Sequence, residues 1–184
     1  MTTAQLHVDA SDFDYLSRAI SRLPEEIRAK AMSRAVRRVV DTARNRIVQK
    51  SFKRTDAYKH VVAERTKAFT SDGGNAAEIV MKSEWLSLYK LGAKQIKSGV
   101  AVRLRGSYRH AFIAQMKSGH RGVMLREGPP STDSLPIREL FGPNPAHDIN
   151  RHPDVFLEVL TAVIEQEMLP RYLHDLGQLL PKGR

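Results

Sequence analysis

The chain has 184 residues, 30 Lys and Arg against 20 Asp and Glu, and a net charge of +10, a length that suits one domain spanning 1–184 with a core that needs no staples. The absence of cysteine excludes disulfides and thiolate metal sites and fits assembly in a reducing cytoplasm. No apolar run approaches the ~20 residues needed to cross a bilayer, and Met1-Thr2-Thr3-Ala4-Gln5-Leu6-His7 carries no cationic leader, so the expectation is a protein with no membrane partner, neither secreted nor membrane-spanning.

Ser11 can cap a short helix through Ile20, with Phe13, Leu16 and Ile20 spaced for one face. Pro24 suits the first position of a second helix, where Glu25 and Glu26 complement the N-terminal dipole. Run to about Lys50, this helix gathers Met32, Ala35, Val36, Val39, Val40, Ala43 and Ile47 into an arc of roughly 140°, with Lys30, Arg34, Arg37, Arg38 and Arg44 opposite. At ~1.5 Å per residue it is on the order of 40 Å long and should be the spine of the fold. A helical extension over Asp56 to Phe69 completes a basic helical region, 1–70. Ser71-Asp72-Gly73-Gly74-Asn75 then breaks the helix.

Across 75–127 the period changes to two. Ile79 and Met81 alternate with their neighbours, as do Val100, Val102 and Leu104, and then Tyr108, His110, Phe112, Ala114 and Met116. Gly106-Ser107 makes the turn of a hairpin and Ser118 to Gly122 a second turn. With Val123 to Arg126 and Trp85 to Leu91 as further strands, the pattern predicts an antiparallel sheet of four or five strands. Residues 128–152 form a proline-rich arm, since six of the nine prolines lie between Glu127 and Pro153, and an irregular segment of that length is usually functional or mobile. Pro129-Pro130-Ser131-Thr132-Asp133 has the composition of a mobile stretch. Pro153 opens a C-terminal helix over 153–180, with Val155, Phe156, Val159, Leu160, Val163 and Ile164 on one side. Pro170 should kink or end it, leaving Leu173, Leu176, Leu179 and Leu180 to a separate short helix. The fold class expected is α+β: a long N-terminal helix, a small antiparallel sheet and a C-terminal helix.

Catalytic patterns are missing. There is no Gly-x-Ser-x-Gly elbow, no phosphate loop, no His-Glu-x-x-His and no dinucleotide glycine fingerprint. His147, Asp148, His152 and Asp154 cluster in sequence but straddle a proline-rich loop, which disfavours a metal. His120, flanked by glycines, reads as a turn residue with an unusual backbone angle in preference to a catalytic group; a hydrolase using His120 with a nearby carboxylate is a distant third reading. No catalytic residue, metal or cofactor is assigned.

Charge is uneven. Residues 1–127 hold 25 Lys and Arg against 12 acids, and 128–184 hold 5 against 8, so like subunits can dock head to tail and self-associate in a ring. Arg34, Arg37, Arg38 and Arg44 on the long helix, with Arg103, Arg105 and Arg109 on the hairpin, are candidate polyanion contacts, and sequence-independent DNA binding is the alternative function. A solvated helix face is the plainer reading, because Glu26 can pair with Lys30, and Asp41 with Arg37, Arg38 and Arg44. No aromatic interleaving supports base stacking. In the arm, Leu135, Ile137, Leu140 and Phe141 need burial, each worth roughly 1.5 to 3 kcal/mol, either against their own sheet or in a neighbouring subunit.

Three stretches follow in order: Ala111-Phe112-Ile113-Ala114, Ser118-Gly119-His120-Arg121-Gly122-Val123, and Leu135-Pro136-Ile137-Arg138-Glu139-Leu140-Phe141-Gly142-Pro143. This order resembles the minor tail protein Z family of lambda-like phages and prophages, whose members share an aromatic-bearing strand, a Ser-Gly-His-x-Gly-Val turn and a Leu-Pro-Ile-x-Glu-Leu-x-Gly-Pro arm. The likeness extends over most of the chain and is sharpest from Ala111 to Pro143. It implies a non-enzymatic structural protein of the virion tail, assembled in the host cytoplasm, that completes the head-proximal end of the tail so that it joins the filled head. Other tail and neck proteins are the implied partners. Phe112, Gly119, His120, Gly122, Leu135, Ile137, Leu140 and Phe141 become the candidate assembly contacts.

Overall fold

Thirty-one residues without glycine or proline, opened by Glu25 and Glu26 and closed by Lys53 and Arg54, form the longest helix, α2 (Glu25–Thr55). The computed structural model describes residues 11–71, 73–103, 105–128 and 136–180, the side chains of 11–15 excepted. Before α2 lies α1 (Ser11–Ser21), and Pro24 is the N-cap of α2, one position earlier than expected. After it come α3 (Lys59–Arg65), β1 (Thr66–Thr70) and β2 (Ala77–Met81). A 3-10 turn at Tyr89–Leu91 leads to β3 (Ala93–Ile96), β4 (Gly99–Val102) and β5 (Gly106–Arg109), then β6 (Phe112–Gln115), β7 (Arg121–Arg126) and β8 (Ile137–Leu140). Helices α4 (Pro145–Arg151) and α5 (Pro153–Leu179) follow.

The expected arc of α2 is its buried face. Ala35, Val36, Val39, Val40, Ala43 and Ile47 are buried, with Ala31 and Val48 added and Met32 only half-buried. Three alanines, Ala31, Ala35 and Ala43, are wholly inaccessible, and their small side chains let α5 approach closely. The two helices run antiparallel, because Arg38 meets Asp175 near one end while Arg46 meets Glu167 further along. Tyr172 and Leu176 pack on Ala31 and Ala35, and Val163 packs on Val39 and Ala43. This packing on both sides of Pro170 carries α5 through the proline to Leu179, so Leu173, Leu176 and Leu179 belong to the same helix and not to a separate one. Arg171 donates to Glu167 at 2.7 Å and holds that carboxyl below its ordinary range.

The β-structure is the main correction. The chain forms three antiparallel sheets, β1-β2, β3-β4-β5 and β6-β7-β8, in place of one sheet of four or five strands. Helix does not extend to Phe69: Arg44 of α2 donates to the carbonyls of Ala63 and Thr66 at 2.7 and 2.6 Å. Those bonds take up acceptors at the end of α3 and hold the start of β1 against the spine. Trp85 to Leu91 is no strand beyond a single bridge between Ser87 and Phe141; Leu86, Ser87 and Leu88 are all buried in succession. Gly106-Ser107 lies within β5 and is not the turn. The run from Tyr108 to Met116 is broken at His110, whose φ of 61° shifts the facing parity by one. Tyr108 before it, and Ala111 and Ile113 after it, therefore face the larger core, while Phe112 lies under the Arg126 guanidinium, 5.3 Å from its ring centre.

That core joins α2, α3 and two of the sheets through Val48, Val61, Val62, Leu86, Leu88, Leu91, Val100, Val102 and Val123. The arm is likewise more regular than expected. Ile137–Leu140 is β8, paired with β7, and Asn144 caps α4 by accepting from the Ala146 amide at 3.2 Å. Leu104, Leu135, the Pro129–Asp133 stretch and the side chain of Phe13 lie outside the described residues. No described helix is long and apolar enough to cross a membrane.

Candidate functional site

The turn and the arm that carry the sequence resemblance meet in space. Gly119, at φ 85°, closes the β6–β7 hairpin, where its amide donates to the Met116 carbonyl and the Met116 amide donates to the His120 carbonyl, both at 2.8 Å. The His120 ring then reaches β8, with Nε2 2.8 Å from Glu139 Oε2. Glu139 Oε1 accepts from the Ser87 hydroxyl at 3.2 Å. Gly122 makes room for this carboxylate, because a Cβ there would sit 2.6 Å from Glu139 Oε1. Past β8, Gly142 donates to the Leu86 carbonyl at 2.6 Å, the Leu86 amide donates to Pro143 at 3.0 Å, and Asn144 donates to the Ser83 hydroxyl at 3.1 Å. One hairpin, one strand and the 83–88 loop are thereby braced together.

The brace does bring His120 to a carboxylate and that carboxylate to a hydroxyl. Nucleophilic activation needs the imidazole next to the hydroxyl, with the carboxylate behind it; here the carboxylate stands between the two. The Ser87 hydroxyl is therefore not placed for activation by His120, and the bonds fasten the turn to β8 and the 83–88 loop. His120→Ala and Glu139→Gln are each expected to lower stability, and a double-mutant cycle read by denaturant unfolding should give a coupling of about 0.5 to 1.5 kcal/mol. Strict additivity would show that the pair does not act as a unit.

The assembly candidates divide. Gly122 is buried, and Leu140 packs against the larger core, so both serve this chain's own interior. Phe112 is half-buried, Gly119 and His120 are exposed, and Ile137 and Phe141 remain 41% and 50% exposed. The basic candidates divide as well. Arg44 is occupied by the carbonyls described above, and Arg105 donates to the Thr55 carbonyl at 2.8 Å, closing the end of α2. Arg38 pairs with the buried Asp175 at 3.3 Å, where sequence proximity suggested Asp41. Arg34, Arg37, Arg103 and Arg109 are exposed. Of the His147 cluster, Asp148 takes two bonds from Arg54 at 2.9 and 3.0 Å and His147 lies against Trp85; the described residues hold no group of ligands able to bind a metal.

Sequence reasoning missed an open apolar groove. A groove of about 670 Å³ lies between α2, β2, α4 and α5, lined by Val36, Val40, Ile79, Val80, Ile149, Phe156, Leu157, Leu160, Ile164 and Met168 among others. Leu157 is 59% exposed, Ile164 42% and Val80 41%. Three large apolar side chains thus stand partly exposed at one mouth. The seven-residue spacing of Leu157 and Ile164 was the available signal, but it merges with the core-facing arc of α5. Comparisons of the sequence with family models and curated proteins, and of the fold with solved structures, found no match.

Proposed function

We propose that this chain is a structural component of a phage or prophage tail, acting in tail completion and head–tail joining by docking on neighbouring tail and neck proteins and on copies of itself in a ring. It works without a reaction of its own, in the virion tail, after assembly in the host cytoplasm. The observation that carries the reading is the open apolar groove between α2, β2, α4 and α5, an opening that gains by being filled with an apolar segment of a neighbouring tail subunit. The resemblance of the Ala111 to Pro143 region to minor tail protein Z relatives supplies the kind of assembly. The brace of His120, Glu139 and Ser87 supports it by fixing the exposed Ile137 and Phe141 in one orientation, so that little ordering entropy is lost on docking.

Imaging of particles tests the proposal. Tails made without this protein are expected to reach full length and remain unattached to filled heads, with attachment restored when the protein is supplied. Finished, infectious particles lacking it would overturn the reading.

A further inference from the structure

A second cleft, of about 680 Å³, opens on the opposite charge regime. Lys30, Arg34, Arg37 and Arg38 of α2 form one side of it, and Thr70, Ser71, Gly73 and Gly74 of the β1–β2 turn form the other. The turn is fixed against the helix. Gly74, at φ 71°, rests so closely on Ser33 that a Cβ would fall onto the Ser33 side chain. The turn is closed by the Gly74 amide donating to Ser71 at 2.9 Å and by the Ala76 amide donating to the Ser71 hydroxyl at 3.1 Å. Arg38 is held from behind by Asp175, itself 1% exposed. No acidic side chain lines the cleft among the described residues; Asp72 lies outside them. After Arg38 is offset by Asp175, the positive charges of Lys30, Arg34 and Arg37 remain among the described residues of the cleft.

We infer that this cleft binds the phosphodiester backbone of DNA. Lys30, Arg34 and Arg37/Arg38 follow one another at about one turn of helix, a row of about 12 Å at ~1.5 Å per residue. Guanidinium forks match phosphate oxygens in paired bonds, and the Ser33 hydroxyl adds a neutral donor to the same concavity. Aromatic and amide side chains are absent from the lining among the described residues, so bases are neither stacked nor read and the binding is indifferent to sequence. The site goes beyond tail docking and does not depend on it: the groove and the cleft share no residue.

The test uses the full chain and a fluorescent 20-base-pair duplex, titrated over a salt series. Arg34→Gln/Arg37→Gln is expected to weaken binding roughly tenfold or more at low salt and to reduce the slope of log affinity against log salt by about 2, one for each phosphate no longer neutralised. Arg34→Lys/Arg37→Lys should keep most of the slope, which preserves the test if the glutamine variant fails to fold. Lys50→Gln/Lys53→Gln removes the same charge further along α2, roughly 20 to 24 Å from Arg37 along the helix axis at ~1.5 Å per residue, and should leave the slope near that of the wild type. Equal losses in the two glutamine variants would reduce the effect to net charge and overturn the site. Polyglutamate competing as well as DNA for the same residues would assign the cleft to an acidic protein instead, also overturning it.

Discussion

On the tail-joining role proposed above, replacing Leu157 and Ile164 together by glutamate is expected to leave a folded monomer that fails to support head–tail joining. Both side chains lie at the mouth of the apolar groove, 59% and 42% exposed, on a helix whose deeper residues, Phe156 and Val163, are untouched. Surface exchanges of this kind usually change stability by no more than about 0.5 kcal/mol, and glutamate is a good helix former. Docking is another matter. Each apolar side chain withdrawn from the interface removes roughly 1.5 to 3 kcal/mol of burial, and the carboxylates must also be desolvated, so association should fall by on the order of a hundredfold to ten-thousandfold. Melting curves and circular dichroism report the fold, while particle titre and electron microscopy report joining. Normal titre from the double variant would remove the groove from tail assembly; an unfolded variant would place both residues in the core.

Leu88→Ala should give the largest loss of stability. Leu88 is wholly buried within the cluster that includes Leu86, Leu91 and Val123, on a segment with little backbone pairing of its own. Truncating such a leucine costs about 2 to 5 kcal/mol through lost transfer energy and the cavity left behind. For a chain of this size each kcal/mol moves the midpoint by about 2–4 °C, so thermal unfolding should shift down by roughly 4 to 20 °C. A midpoint within about one degree of the wild type would mean that the 83–91 loop is not seated as described.

What the sequence revealed depended on how local the deciding interaction was. The spine was legible because apolar residues recur at three- and four-residue spacing along α2 and form one buried face, and β2 because Ile79 and Met81 turn inward while Glu78 and Val80 turn out. The end of α3 was not, since its signal is Arg44, whose bonds to Ala63 and Thr66 span 19 and 22 positions. Leu86 and Leu88 mimic strand alternation, yet Ser87 between them is buried as well. The left-handed His110 moved Phe112 off the face that parity alone assigned to it. His120 was singled out by its flanking glycines, but Glu139 and Ser87 could be matched to it only by strand pairing and a loop from 33 positions earlier. The arm divides between adjacent residues: Leu140 packs on the chain's own core, while Phe141 stays 50% exposed.

The antiparallel pairing of α2 with α5 bears on how the molecule is made. Arg46 and Glu167 lie 121 positions apart, so the alanine seam of the first long helix stays uncovered while more than half the polypeptide is still being translated. Distant partners of this kind slow folding, because ring-closure entropy is lost before the pairing repays it. A nascent chain stalled before Pro153 would display that seam, and a chaperone that shields it until release would raise the yield of soluble protein.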